Sequence, residues 1–136
     1  MGKRPMRVCA GCGAETRNAK YCSNKCQQNH RWTHLKSAID QSGIVPVGPR
    51  ENPSIAKRLL LATQGRCCAV CGLTEWRGQP IPLVLDHVNG DASDWRVSNL
   101  RLVCGNCDMQ LPTFKSRNRG RGRAWRRQRY ADGLSY

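Results

Sequence analysis

The sequence predicts a small α+β protein stapled by bound zinc rather than by one large apolar core. Three observations carry this. The chain has 136 residues, 39% of them apolar, and nine of those are cysteines; so thin a core needs staples. The cysteines form two sets of four, Cys9-x2-Cys12 with Cys22-x3-Cys26 and Cys68-x2-Cys71 with Cys104-x2-Cys107. Short helical patterns also alternate with short strand-like runs, and no stretch reaches the roughly 18 apolar residues of a membrane span.

The cysteine spacing specifies the staple. A two-residue gap lets one tight turn aim two thiolates at a single tetrahedral ion, and two such turns close a structural site. A disulfide framework is the competing reading. The N-terminal stretch from Met1 to Arg7 is charged but leads into no apolar run, so no secretory signal is expected. The protein is expected in the cytosol, in contact with DNA, where thiols stay reduced and zinc is favoured. Cys67 is left over and reads as a small buried or idle thiol.

The elements follow in order. Residues 1–36 form the first zinc module, and Gln27–Lys36 after Cys26 reads as a basic helix. His30 and His34 share one face at i and i+4; with four cysteines available they read as solvated or phosphate-contacting. Residues 37–51, with two Gly and two Pro, read as a linker. A helix starts at Asn52, with Asn52 as cap and Pro53 in the first turn. Its stripe is Ile55, Leu59 and Ala62, widened by Leu60 and Leu61, and Gly65 stops it. Ile81–Val88 reads as a strand, Asn89-Gly90-Asp91 as a turn and Leu100–Val103 as a second strand. Asn106–Leu111 reads as a short helix halted by Pro112. A working domain at 52–118 is therefore followed by a basic tail at 119–136.

Charge supports this division. The net formal charge is +14. Residues 1–50 and 115–136 each carry +7, and residues 51–114 balance at six basic and six acidic. A neutral module between cationic flanks points to a polyanion, nucleic acid before an anionic membrane. The run Lys115, Arg117, Arg119, Arg121, Arg123, Trp125, Arg126, Arg127, Arg129 is the densest candidate grip. Its arginines would bind phosphates with little sequence preference, while Trp125 and Tyr130 stack on bases or pack back on the domain. Alternating Arg and Gly disfavours a helix in its first half.

Chemistry concentrates between the halves of the second quartet. Asp86 and His87 end one strand, Asn99 precedes the next, and Asp108 directly follows Cys107. If the zinc pins the Cys104/Cys107 turn, Asp108 starts a helix that lies across the hairpin. A carboxylate from each side can then share one hard divalent cation, Mg2+ or Mn2+. His87 beside that ion would serve as general base for a water. Each residue alone has a plainer reading: Asp86 a turn cap, His87 a satisfied core histidine, Asp108 a helix cap. The set at these spacings favours catalysis.

The ordered series Cys68-Ala-Val-Cys71-Gly-Leu-Thr-Glu-Trp76, Leu85-Asp86-His87-Val88-Asn89-Gly90-Asp91 and Val97-Ser-Asn99-Leu-Arg101-Leu-Val-Cys104-Gly-Asn-Cys107-Asp108 resembles the HNH endonucleases, in particular small free-standing phage members. The resemblance runs from about Asn52 to Asn118. It implies a ββα-metal, treble-clef-like core with an N-terminal zinc-binding module and a basic C-terminal tail. It implies metal-dependent phosphodiester hydrolysis in DNA, probed here by no sequence code for a target site. His87 would be the base, Asp86 a metal ligand and Asn99 the residue that holds the loop. Asp108 fills the third position, where the family more often has His or Asn. Trp95 stands where relatives usually have a small or polar residue. A non-catalytic zinc module that binds nucleic acid or protein on the same scaffold is the alternative, and an RNA-binding protein the weaker third.

Overall fold

The computed structural model describes residues 4–46, 52–118 and 124–134. The chain divides into two compact units, Met1–Ser42 and Gly43–Tyr136. No helix of the described residues is long and apolar enough to cross a membrane.

The first unit is a cysteine knuckle followed by a helix. Strands β1 (Arg7–Val8) and β2 (Glu15–Thr16) pair antiparallel. The turn beyond β1 closes through Cys9 N–H to Ala14 O at 2.8 Å. Helix α1 spans Asn24–Ser42. Ser23 caps it, its Oγ accepting from Cys26 N–H at 3.1 Å. The expected helix over Gln27–Lys36 is therefore present but longer, and residues 37–42, read as linker, are its last turns. No Gly or Pro falls between Ser23 and Gly43, so the backbone has no reason to break earlier.

The second unit is a hairpin with a helix on it. Helix α2 (Asn52–Thr63) buries Ala56, Leu59 and Leu60 and packs on the hairpin. Leu59 of the expected stripe and Leu60 of its flank are thus buried, Ile55 and Leu61 are half-buried, and Ala62 is exposed. Gly65, at φ 85°, takes the left-handed conformation that ends the element. A small hairpin, β3 (Glu75–Trp76) with β4 (Gln79–Pro80), follows. Then β5 (Leu83–His87) pairs antiparallel with β6 (Leu100–Cys104), in register from Leu83 opposite Cys104 to His87 opposite Leu100. Helix α3 (Gly105–Gln110) packs back on both strands. A 3-10 turn over Lys115–Asn118 and helix α4 (Ala124–Ala131) complete the unit.

Residues 43–45 are not linker either. Gly43 O accepts from Val97 N–H at 2.9 Å, and Val45 N–H donates to Trp95 O at 3.0 Å. Val45 is fully buried. The segment lays an extra strand along the loop before β6, a pairing between positions about fifty residues apart that no local pattern announces.

A side chain finishes the sheet where no strand does. Gln64 Oε1 accepts from Leu102 N–H at 3.0 Å, and Gln64 Nε2 donates to Leu102 O at 3.0 Å and to Cys67 O at 2.7 Å. The amide thus meets both polar groups of a backbone unit on the open side of β6.

Both quartets converge. In each, the four sulfurs lie within 4.8 Å of one another, and the ninth cysteine, Cys67, stands outside them. Amide donors prepare one sulfur per site. Cys9 Sγ accepts from Cys22 N–H at 3.2 Å and Gly11 N–H at 3.4 Å, which lowers its thiol to about 6, the Cys22 bond contributing most. Burial acts to raise Cys68, but N–H groups of Cys71, Cys104 and Val70 outweigh it and bring the thiol to about 6. The partner thiols move the other way: the Cys9 contact pushes Cys26 up to about 12, and burial does the same to Cys107. One thiolate per site is tolerated and further charge resisted, unless a cation at the centre offsets it. Four soft sulfurs at this separation fit tetrahedral zinc.

Two outcomes are expected. Gln64→Ala strands the buried Leu102 N–H, while Leu102 O keeps its bond from Ala69 N–H at 2.8 Å, and should cost about 1–3 kcal/mol in denaturant titration. Elemental analysis should find two zinc ions per chain. Gly11→Ala should lose one of them, because a Cβ there would lie 2.6 Å from Cys26 Sγ. Cys104→Ser should lose the other and unfold the second unit.

Candidate active site

The hairpin brings Asp86 and His87 to the end of β5. Side chains alternate across a strand, so Asp86 shares a face with Arg101, and His87 shares the other with Leu100. Asp86 is buried at 8% exposure. Its Oδ2 accepts from Arg101 Nε at 2.7 Å, directly across the strands.

Asp108 lies on α3, as its fourth residue. The helix begins at Gly105, so Asp108 does not start it and does not cap it. Cys104 supplies the N-cap. Burial raises the Asp108 carboxyl above its ordinary value, the negative charge of Asp86 adds to this, and Lys115 opposes it. Helix α3 packs on β5, and the charge of Asp86 is thus felt at Asp108.

His87 sits between the strand and the loop. Its ring meets Trp95 edge-on, with centroids 4.9 Å apart and planes at 88°. Nε2 is buried with no hydrogen-bond partner. Burial lowers the imidazole pKa below 6.5, against the pull of Asp86, Asp91 and Asp94. The ring is neutral at pH 7, the state a base requires.

Asn99 holds the loop. Its Oδ1 accepts from Asn89 N–H at 3.0 Å, and its Nδ2 donates to Asn89 Oδ1 at 2.9 Å and Asp94 O at 3.1 Å. Its own carbonyl accepts from Val88 N–H at 2.9 Å. Gly90, at φ 75°, turns the chain so that its N–H reaches His87 O at 2.7 Å. The residue following the general-base candidate is thus fixed from both sides.

The basic run is only partly a free grip. Arg117 Nη1 donates to Leu111 O at 3.1 Å and Met109 O at 3.4 Å, closing the end of α3. Arg127, on α4, approaches Asp91 Oδ1 at 3.4 Å and so ties the tail to the active-site loop. Lys115 Nζ lies 5.0 Å from the Phe114 ring. Arg119, Arg121 and Arg123 and the side chains of Trp125, Arg126 and Tyr130 lie outside the described residues. In the first unit, His30 and His34 approach Nε2 to Nε2 at 3.2 Å, with Tyr21 hydroxyl 3.4 Å from His30 Nδ1.

Two residues of the site were missed in the sequence. Arg101 was visible only as the third residue before Cys104; the antiparallel register that sets it against Asp86 was the missing information. Trp95 was noted for its size but not as the wall of the His87 pocket.

Comparison with known proteins gives one relative to report. Over 54 residues the chain is 43% identical to the H-N-H endonuclease F-TflIV of Escherichia phage T5, a stretch covering 40% of this chain and 24% of that protein. The chain thus spans about a quarter of the length of this curated relative. No family model matches the chain, and no solved structure matches it. The matched stretch is thus similar to part of a named H-N-H endonuclease, in a chain that carries two converging cysteine quartets.

Proposed function

We propose that the second unit is a metal-dependent HNH endonuclease with a ββα-metal core, acting on double-stranded DNA. The observation that carries this is that α3 packs on β5, so that the charge of Asp86 is felt at Asp108, with a half-buried, neutral His87 next to Asp86 in the strand. His87 Nδ1 takes the proton from a water, and the resulting hydroxide attacks phosphorus in line. The 3′ oxygen leaves, giving a 5′ phosphate and a 3′ hydroxyl. Mg2+ or Mn2+ held by Asp86 and Asp108 would neutralise the phosphate and the leaving oxygen. Asn99 keeps the loop, and hence the His87 backbone, in place. Two zinc ions hold the scaffold.

The basic flanks supply grip without a base code. Lys115, Arg119, Arg121, Arg123, Arg126 and Arg129 are the proposed phosphate contacts, with Trp125 available to stack. Arg117 and Arg127 belong to the same run, but their bonds to Leu111 and Asp91 make them supports of the site first. The first unit, with its basic α1, is the second proposed contact surface.

Plasmid cleavage tests the reading. Supercoiled DNA should become nicked or linear with Mg2+ or Mn2+, and His87→Ala should lower the rate by about 10²–10⁴-fold while DNA binding is retained. Equal cleavage by the variant would remove His87 as base. Salt-sensitive binding with no cleavage under any divalent ion would favour the non-catalytic alternative. The rate should rise with pH and level off at a midpoint below 6.5, because only the neutral ring accepts a proton and burial disfavours the charged one. Trp95→Ala should move that midpoint upward, read from single-turnover rates. Removing residues 119–136 should weaken binding and flatten its salt dependence by roughly 0.9 in log–log slope per lost phosphate contact.

A further inference from the structure

Among the described residues, Asp86 is the one charged side chain that is buried. A buried carboxylate needs a close cation, and Arg101 Nε provides it at 2.7 Å. The pair is fixed by strand register, since Asp86 and Arg101 stand directly opposite. It is not sealed: the Arg101 side chain is 27% exposed. The same carboxylate is the one that the nuclease reading gives to a divalent ion. One acid therefore faces two cations.

Charge sharpens the conflict. Asp86, Asp108 and Arg101 together sum to −1. A divalent ion would bring them to +1, the charge that one phosphodiester neutralises. Asp108 has no ion-pair partner among the described residues, so Arg101 is the nearest cation that must give way.

We propose that Arg101 and the divalent ion compete for Asp86, and that the guanidinium, released from the carboxylate, holds a non-bridging oxygen of the scissile phosphate. Arg101 is thereby a catalytic residue, and it couples the two ligands. The guanidinium opposes the ion when no nucleic acid is present. A phosphate draws it away and so tightens the ion; by linkage, the ion tightens the nucleic acid equally. This inference rests on the nuclease reading of the site.

The test uses the zinc-loaded full chain and Mn2+ as probe. Free Mn2+ is followed by its electron paramagnetic resonance signal, with and without a short DNA duplex, in the His87→Ala background so that the duplex stays intact. Asp86→Asn identifies the signal that belongs to this site. Arg101→Gln should bind Mn2+ about 5-fold tighter without DNA and lose the tightening that DNA gives. In the otherwise native chain it should cleave at least about 10-fold more slowly at saturating Mn2+. A merely structural ion pair predicts the opposite sign in the binding arm, because a loosened site binds the ion less well. Unchanged or weaker Mn2+ binding, or cleavage at the native rate, would overturn the proposal. If Arg101→Gln does not retain its zinc, Arg101→Met is read by the same criteria, since it removes the charge and keeps the packing of the stem. Absence of Mn2+-dependent cleavage by the native chain would instead defeat the nuclease reading itself.

Discussion

Cys104 ends β6, caps α3 and contributes a sulfur to the second quartet. The rest of the candidate site depends on that triple constraint. As the last strand residue opposite Leu83, it fixes the register that sets Asp86 against Arg101. As the helix cap, it fixes where α3 starts and thus that Asp108 falls on the helix's fourth residue. As a thiol in the quartet, it ties both to the Cys68/Cys71 turn, and its own N–H donates to Cys68 Sγ at 3.2 Å. A small hairpin is marginal in water by itself. Here its two strands and its helix are clamped at one residue, so the opposite end can carry unfavourable neighbours.

Those neighbours are unfavourable by design of the site. The charge of Asp86 raises the cost of ionising Asp108, and a half-buried imidazole has a ring nitrogen without a partner. Strain of this kind persists where the surrounding structure over-determines it. The surrounding structure here is Asn99, which occupies the loop with three side-chain bonds, and Val45, which pins the Trp95 backbone from outside. Trp95 then presents its ring to His87. The aromatic wall does two things at once: it removes water from Nε2 and it holds the imidazole in one orientation.

What the sequence made legible is what local spacing controls. The quartets, the strand at Leu83–His87, the strand at Leu100–Cys104 and the α3 segment all follow from cysteine gaps and alternation, and each lies within a residue or two of its expected place. The family resemblance rested on those same residues, and the phage relative supports it. What was illegible is what depends on contacts far apart in the chain. The Gly43–Val45 pairing with the Trp95 loop hides behind two glycines and two prolines that read as a linker. The α2 stripe narrowed to Ala56, Leu59 and Leu60, with Ala62 left exposed, a choice made by the partner surface rather than by the helix. Gln64 carries no local signal of its role, and only its pairing with the Leu102 backbone gives its amide a purpose.

The substitution of a carboxylate at position 108 bears on the whole electrostatic arrangement. An imidazole there would add no negative charge when neutral, and Asp86 with Arg101 would already balance. Aspartate leaves one charge over. That surplus strengthens attraction for a divalent ion, yet it also repels the phosphodiester that must approach the same point. The repulsion is local, and the remedy lies close by: Lys115 acts on Asp108, Arg101 on Asp86 and Arg127 on Asp91. Each acid of the site thus has a cation of its own on a neighbouring element. On the proposed nuclease reading, Lys115 and Arg101 would screen the two acids proposed to hold the ion, and Arg127 the loop acid Asp91, so that a chain of phosphates can reach the site.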